Sequence, residues 1–240
     1  MVRRMVDAFK KGIEEDKDSS KEPEERVRET ITMNPRRRDI LEYLCKYPCT
    51  RLSRIAKDLE LSIAATKWHL ERLAEKDFIV KEVVKGDPIF YPMKMIDENE
   101  VQIFATINHE RATPILRRIL SHSGISQKDL CEEVQLNQRT VVRHASELEN
   151  VGLIESIQDG KFKRYYPTAL INTLKEDYRR RAGKFRKHLL GKLKKDGVNP
   201  KVMRYTDNAL HVKIITGENK SILELNTQPL AGILEPYKGL

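Results

Sequence analysis

The chain has 240 residues, 39% apolar and 34% charged, enough for one large domain or two to three small ones with modest cores. Lys and Arg number 45 against 36 Asp and Glu, a net charge of +9 that favours polyanions, nucleic acid before acidic membrane surfaces. No stretch approaches the roughly 20 uninterrupted apolar residues of a bilayer span, the opening MVRRMVDAFKKGIEEDK is too charged for a signal peptide, and three cysteines without a C-x-x-C pair argue against a disulfide framework; these features predict a cytoplasmic protein with no membrane partner.

Residues 1–22 read as a short amphipathic helix carrying Val2, Met5, Val6, Phe9 and Ile13, followed by the polar linker EEDKDSSKEP. Residues 23–97 form a first unit. EERVRETITM predicts a leading helix. Ile40, Leu41 and Leu44 then mark the apolar stripe of a helix ending at Tyr47-Pro48, and a second helix spans about Arg51 to Leu59. A third starts after the N-cap Ser62 and buries Thr66, Leu70 and Leu73. FIVKEVVKGDPIFYP changes period and predicts two strands around Lys85-Gly86-Asp87.

Residues 98–168 repeat that order. A gapless shift of 75 residues carries His69 onto His144, Ile40 onto Ile115, Leu73 onto Leu148 and Tyr91-Pro92 onto Tyr166-Pro167. In this second copy a helix with Ile115, Leu116 and Ile119 ends at Gly124. The next runs from Ser126 to Val134, opened by Ser126 and Asp129 in a capping-box pattern. A third follows the N-cap Asn137 and buries Val141, Ala145 and Leu148, and two strands flank Asp159-Gly160-Lys161. Each copy is expected to have its own small core.

Residues 169–196 predict a basic amphipathic helix, with Ile171, Leu174, Tyr178, Phe185, Leu189 and Leu193 near heptad spacing and arginines and lysines on the other faces. Dimerisation or domain packing is its first reading, with extra phosphate contact compatible and a membrane-surface helix last. In residues 197–240, ALHVKIIT and SILELN alternate around Gly217-Glu218-Asn219 and predict a small β-hairpin unit that must pack on something. The fold class is therefore mainly α with small β wings.

Three helices and a hairpin, twice over, resemble the winged helix-turn-helix domains of ArsR- and MarR-type transcription regulators. The likeness rests on MNPRRRDILEYL, LSIAATKWHLERLAEKDFI and LNQRTVVRHASELENVGLI with their hairpins, and covers roughly residues 25 to 168. The doubled arrangement is similar to archaeal regulators with two such domains, among them the euryarchaeal activator of archaellum genes. The resemblance implies a homodimeric, sequence-specific regulator of transcription that binds double-stranded DNA, meets the basal transcription machinery and needs no cofactor.

In such a domain the third helix enters the major groove. Setting aside the buried stripe leaves Asn137, Gln138, Arg139, Val142 and Arg143 outward in the second copy. That set suits base edges: Arg pairs with guanine, Gln and Asn with adenine, and Val can touch a thymine methyl. The first copy offers Ser62, Ile63, Lys67, Trp68 and Arg72, where Trp68 is a DNA contact, an interface residue or part of the local core. Lys161, Lys163 and Arg164 make the second wing the better phosphate arm, so the second copy is expected to bind DNA more strongly.

His69 and His144 hold equivalent places, and a helix-to-wing hydrogen bond or phosphate contact is favoured over a metal. Cys45 and Cys49 suggest a redox pair, but their partners across the repeat, Leu120 and Gly124, favour core and turn roles. No phosphate loop, metal-spaced Cys/His set or nucleophile-base arrangement is present, which argues against an enzyme. The alternative function is a winged-helix adaptor that binds proteins in a transcription or chromosome-segregation complex.

Overall fold

A computed structural model describes residues 34–206, 209–216, 219–226 and 230. The expected helix and linker of residues 1–22 and the leading helix EERVRETITM lie outside the described residues. Copy one comprises α1 (Pro35–Lys46), β1 (Thr50–Arg51), α2 (Leu52–Asp58), α3 (Ile63–Glu75), β2 (Ile79–Val84) and β3 (Asp87–Pro92). A 3-10 turn (Glu98–Glu100) and α4 (Val101–Ile107), the leading helix of copy two, follow. Copy two continues with α5 (Ala112–Ser121), β4 (Ile125–Ser126), α6 (Gln127–Val134), α7 (Gln138–Asn150), β5 (Ile154–Asp159) and β6 (Phe162–Pro167). The chain ends in α8 (Leu170–Lys195) and the strands β7 (Asn199–Tyr205), β8 (Ala209–Thr216) and β9 (Asn219–Asn226).

The repeat extends to backbone conformation. Four left-handed positions recur at the same shift: Cys49 and Gly124 (φ 57 and 82), Glu60 and Gln135 (both 53), Asp77 and Gly152 (54 and 76), and Lys85 and Gly160 (52 and 55), whereas Gly86 (φ 86) and Lys94 (φ 66) of copy one have no left-handed counterpart in copy two. At Gly124 a Cβ would meet the Tyr166 ring at 3.1 Å, so copy two requires glycine where copy one carries cysteine. This explains Cys49 as a buried turn residue, and burial pushes its thiol, like that of Cys45, well above the usual range. A buried protonated thiol is a poor redox sensor.

Each wing has three strands where the sequence predicted two. β1 pairs with β3 through Thr50 and Arg51, and β4 with β6 through Ile125 and Ser126. Two residues are too few to leave an alternating pattern. At Ser126 the expected capping box is only half formed: its hydroxyl accepts from the Asp129 amide at 3.2 Å and donates to the Asp129 carboxylate at 2.7 Å.

The two expected separate cores are one continuous apolar cluster. Met95, Ile96, Val101, Phe104 and Ile107 fill the joint between the copies, and α8 lies across the cluster with Ile171, Leu174, Tyr178, Ala182, Phe185, Leu189 and Leu193 all buried. At about 1.5–3 kcal/mol per fully buried large side chain, this stripe is a major part of the stability. Polar contacts fix the helix's register: Arg181 pairs with Asp97 and with Glu100, at 2.6 Å for the latter, Lys192 pairs with Asp77, and the His188 Nε2–H donates to the Asp77 carbonyl at 3.0 Å. The helix therefore serves domain packing within the chain, and its apolar face is not available for dimerisation.

The C-terminal unit is a three-stranded antiparallel meander rather than a hairpin, ordered β7-β8-β9. The edge strand β7 is almost wholly exposed and bulged between Val202 and Arg204, which removes the alternation a sequence reading needs. Strand β9 folds back on α1, where the Glu42 carboxylate accepts from the Glu224 amide at 2.9 Å.

Candidate nucleic-acid interface

Both third helices start as expected. Ser62 Oγ accepts from the Ala65 amide at 3.1 Å and Asn137 Oδ1 from the Thr140 amide at 2.9 Å, satisfying amides that would otherwise lack partners at a helix start. The buried sides of α3 (Thr66, Leu70, Leu73) and α7 (Val141, Ala145, Leu148) face the core. All the outward residues singled out from the sequence on these two helices are exposed: Ser62, Ile63, Lys67, Trp68 and Arg72, and Asn137, Gln138, Arg139, Val142 and Arg143.

The two outward faces differ in what their cations meet. On α3, Lys67 pairs with Glu71 at 3.9 Å and Arg72 with Glu75 at 2.9 Å. Trp68, 46% exposed, lies between the guanidinia of Arg37 at 5.1 Å and Arg72 at 5.8 Å from its ring centroid, cation–π contacts that hold the indole against the surface. Burial is the main cause that lowers the Arg37 pKa, with the neighbouring Arg72 charge adding.

On α7, Arg139 and Arg143 have no carboxylate partner among the described residues. The Arg143 guanidinium donates to His144 Nε2 at 2.9 Å, so the ring's Nδ1–H donates to Glu147 at 2.8 Å. His144 is buried and its ring stacks at 4.6 Å on His109, from the turn before α5. Its role thus joins helices rather than helix and wing. His69 is also buried, with Nδ1 unpartnered and Trp68 against its edge.

The second wing's cations are unequally available. Lys161 is exposed at the tip, over the Phe162 ring. Lys163 pairs with Glu149 of α7 at 3.7 Å and lies over Tyr165, whose hydroxyl pKa burial pushes up to about 12. Arg164 is tied to Asp159 at 2.7 Å and to the Gly124 carbonyl at 3.0 Å. The structure brings Lys163 to the C-terminal part of α7 and Arg143 to a cleft shared with Arg51 and Arg54 of copy one. Those two arginines, with Arg111, escaped the sequence reading because they lie at a seam between copies rather than on one helical face.

A larger groove of about 1290 Å³ runs between α8 and the base of the first wing, lined by Lys184, Lys187, Lys192 and Lys195 among others. Among the described residues no three His, Cys, Asp or Glu side chains gather as a metal site, and no helix is long and apolar enough to cross a membrane.

Residues 33–80 and 115–155 match the winged helix-turn-helix DNA-binding family, one match on each copy, so both copies are winged helix-turn-helix domains. A curated relative, an uncharacterised HTH-type transcriptional regulator of Methanocaldococcus jannaschii, is 26% identical over 138 residues. That match covers 58% of this chain and 34% of the relative, so the chain matches about a third of the relative's length. Among solved structures, a MarR transcriptional regulator from Methanosarcina mazei Go1 is similar at a TM-score of 0.28 and 21% identity, covering 39% of this chain and 66% of that one. ScpB from Mycobacterium tuberculosis is similar at 0.23 and 14%, covering 56% and 91%.

Proposed function

We propose, from two winged helix-turn-helix domains of the DNA-binding family in one chain, that the protein is a sequence-specific regulator of transcription that binds double-stranded DNA. The observation that carries the reading is the outward face of α7, where Gln138, Arg139, Val142 and Arg143 are exposed and the two arginines have no carboxylate partner among the described residues. In this reading Asn137, Gln138, Arg139, Val142 and Arg143 meet base edges, Lys161 reaches phosphate from the wing, and Lys163 and Arg164 mainly hold the wing in shape. Ser62, Ile63, Lys67, Trp68 and Arg72 of copy one add weaker contacts.

The resemblance to the archaellum gene activator carries motility genes forward as targets, and the basal transcription machinery as partner. A homodimer would need a surface other than the apolar stripe of α8, which is buried within the chain. The adaptor alternative draws its support from copy one, whose exposed Trp68 and carboxylate-paired cations suit a protein contact.

Arg143→Ala tests the assignment. Specific affinity should fall by about 1 to 3 kcal/mol while non-specific binding stays nearly intact. Equal losses on both duplexes would reduce Arg143 to a phosphate contact.

A further inference from the structure

A cleft of about 260 Å³ lies between the two copies. Copy one supplies Arg51 and Arg54; copy two supplies Asn108, His109, Arg111 and Arg143. The cleft is held open by a braced joint: Asn108 Nδ2 donates to the Pro48 carbonyl at 2.7 Å, Arg54 donates to the Asn108 carbonyl, and Lys57 pairs with Glu110. Four arginines thus line one space with a single carboxylate, Glu110, which Lys57 already neutralises.

Arg51 pairs with Asp87 at 2.9 Å and Arg54 with Asp58 at 3.3 Å, both carboxylates outside the lining. Arg111 and Arg143 have no carboxylate partner among the described residues. Like charges gathered in a concave space repel, and an anion relieves that repulsion. His109 registers the same field. Burial is the main cause that holds its imidazole pKa down to about 4; His144, Arg51 and Arg143 lower it further and Glu147 opposes them.

We infer that this cleft binds a phosphate group, held by the guanidinia of Arg51, Arg111 and Arg143 at the joint between the two winged helices. The planar fork of arginine matches phosphate oxygens in pairs, and the volume admits a single phosphate group or a pyrophosphate. Because Arg143 also stands on the outward face of α7, an occupant of the cleft ties that helix to copy one and withdraws the side chain from base contact. The site goes beyond the DNA-binding reading and does not depend on it.

The test uses the full chain with 15N-labelled histidine, inorganic pyrophosphate as probe, and the ring signals of the six histidines. Saturable shifts confined to His109 and His144, with the His109 pKa rising as the anion fills the cleft, are expected. Arg111→Ala, an exposed position, should weaken pyrophosphate binding at least tenfold. Shifts that never saturate, or that appear equally at all six histidines, would overturn the site.

A second arm identifies the source of the phosphate. Competition between pyrophosphate and duplex, with a salt slope shallower by about one unit in Arg111→Ala, assigns it to the DNA backbone. An unchanged slope with pyrophosphate binding intact in the parent chain assigns it to a free phosphorylated ligand. Both outcomes keep the site. Absence of saturable binding in the first arm removes it whatever the DNA results show, so its failure is separable from failure of the DNA-binding reading.

Discussion

Copies one and two share the same order of elements and four left-handed turn positions, yet present different chemistry outward. Thr66, Leu70 and Leu73 of α3 face the core as do Val141, Ala145 and Leu148 of α7. On the opposite sides, Lys67 and Arg72 are matched by Glu71 and Glu75, whereas Arg139 and Arg143 meet no carboxylate among the described residues. A carboxylate one turn away draws a cation along its own helix and opposes approach to phosphate. The comparison teaches that buried positions define the shared fold, while a few exposed positions divide the labour between the copies.

The largest expected effect checks the shared half of that comparison. Leu73 and Leu148 are equivalent and wholly buried, so alanine at either should cost about 2 to 5 kcal/mol in denaturant unfolding. A loss below about 1 kcal/mol at one and not the other would show that the two cores are not packed alike.

The smallest effect sharpens the unshared half. Lys161→Ala should make the salt dependence of DNA binding shallower by about one unit. Lys163→Ala should do less, because Glu149 already meets its charge. Lys85→Ala on the first wing should leave the slope nearly unchanged. Equal changes at Lys85 and Lys161 would erase the difference between the wings.

Much of the architecture was legible in the sequence because it is written twice. The N-caps Ser62 and Asn137, the buried stripes and the turns at Lys85 and Gly160 all announce themselves by residue type and recur at one spacing. The two-residue strands β1 and β4 and the bulged edge strand β7 were not legible, since none alternates between buried and exposed positions. The apolar stripe of α8 was visible, but not its partner: a heptad pattern states which face is buried, and only Asp77, Asp97 and Glu100 in three dimensions reveal that the surface is the chain's own. The outward residues of α3 and α7 followed from periodicity. The other arginines around the joint did not, because Arg51, Arg54 and Arg111 meet Arg143 only when the copies pack.

Selection of bound sequences from a random duplex library, at two salt concentrations, is the measurement that tests base reading by α7 most directly. The account predicts a motif that survives the higher salt, because base contacts do not release counterions as phosphate contacts do. Recovery of no motif, with binding that collapses as salt rises, would contradict it and leave the basic surface as an electrostatic footprint alone.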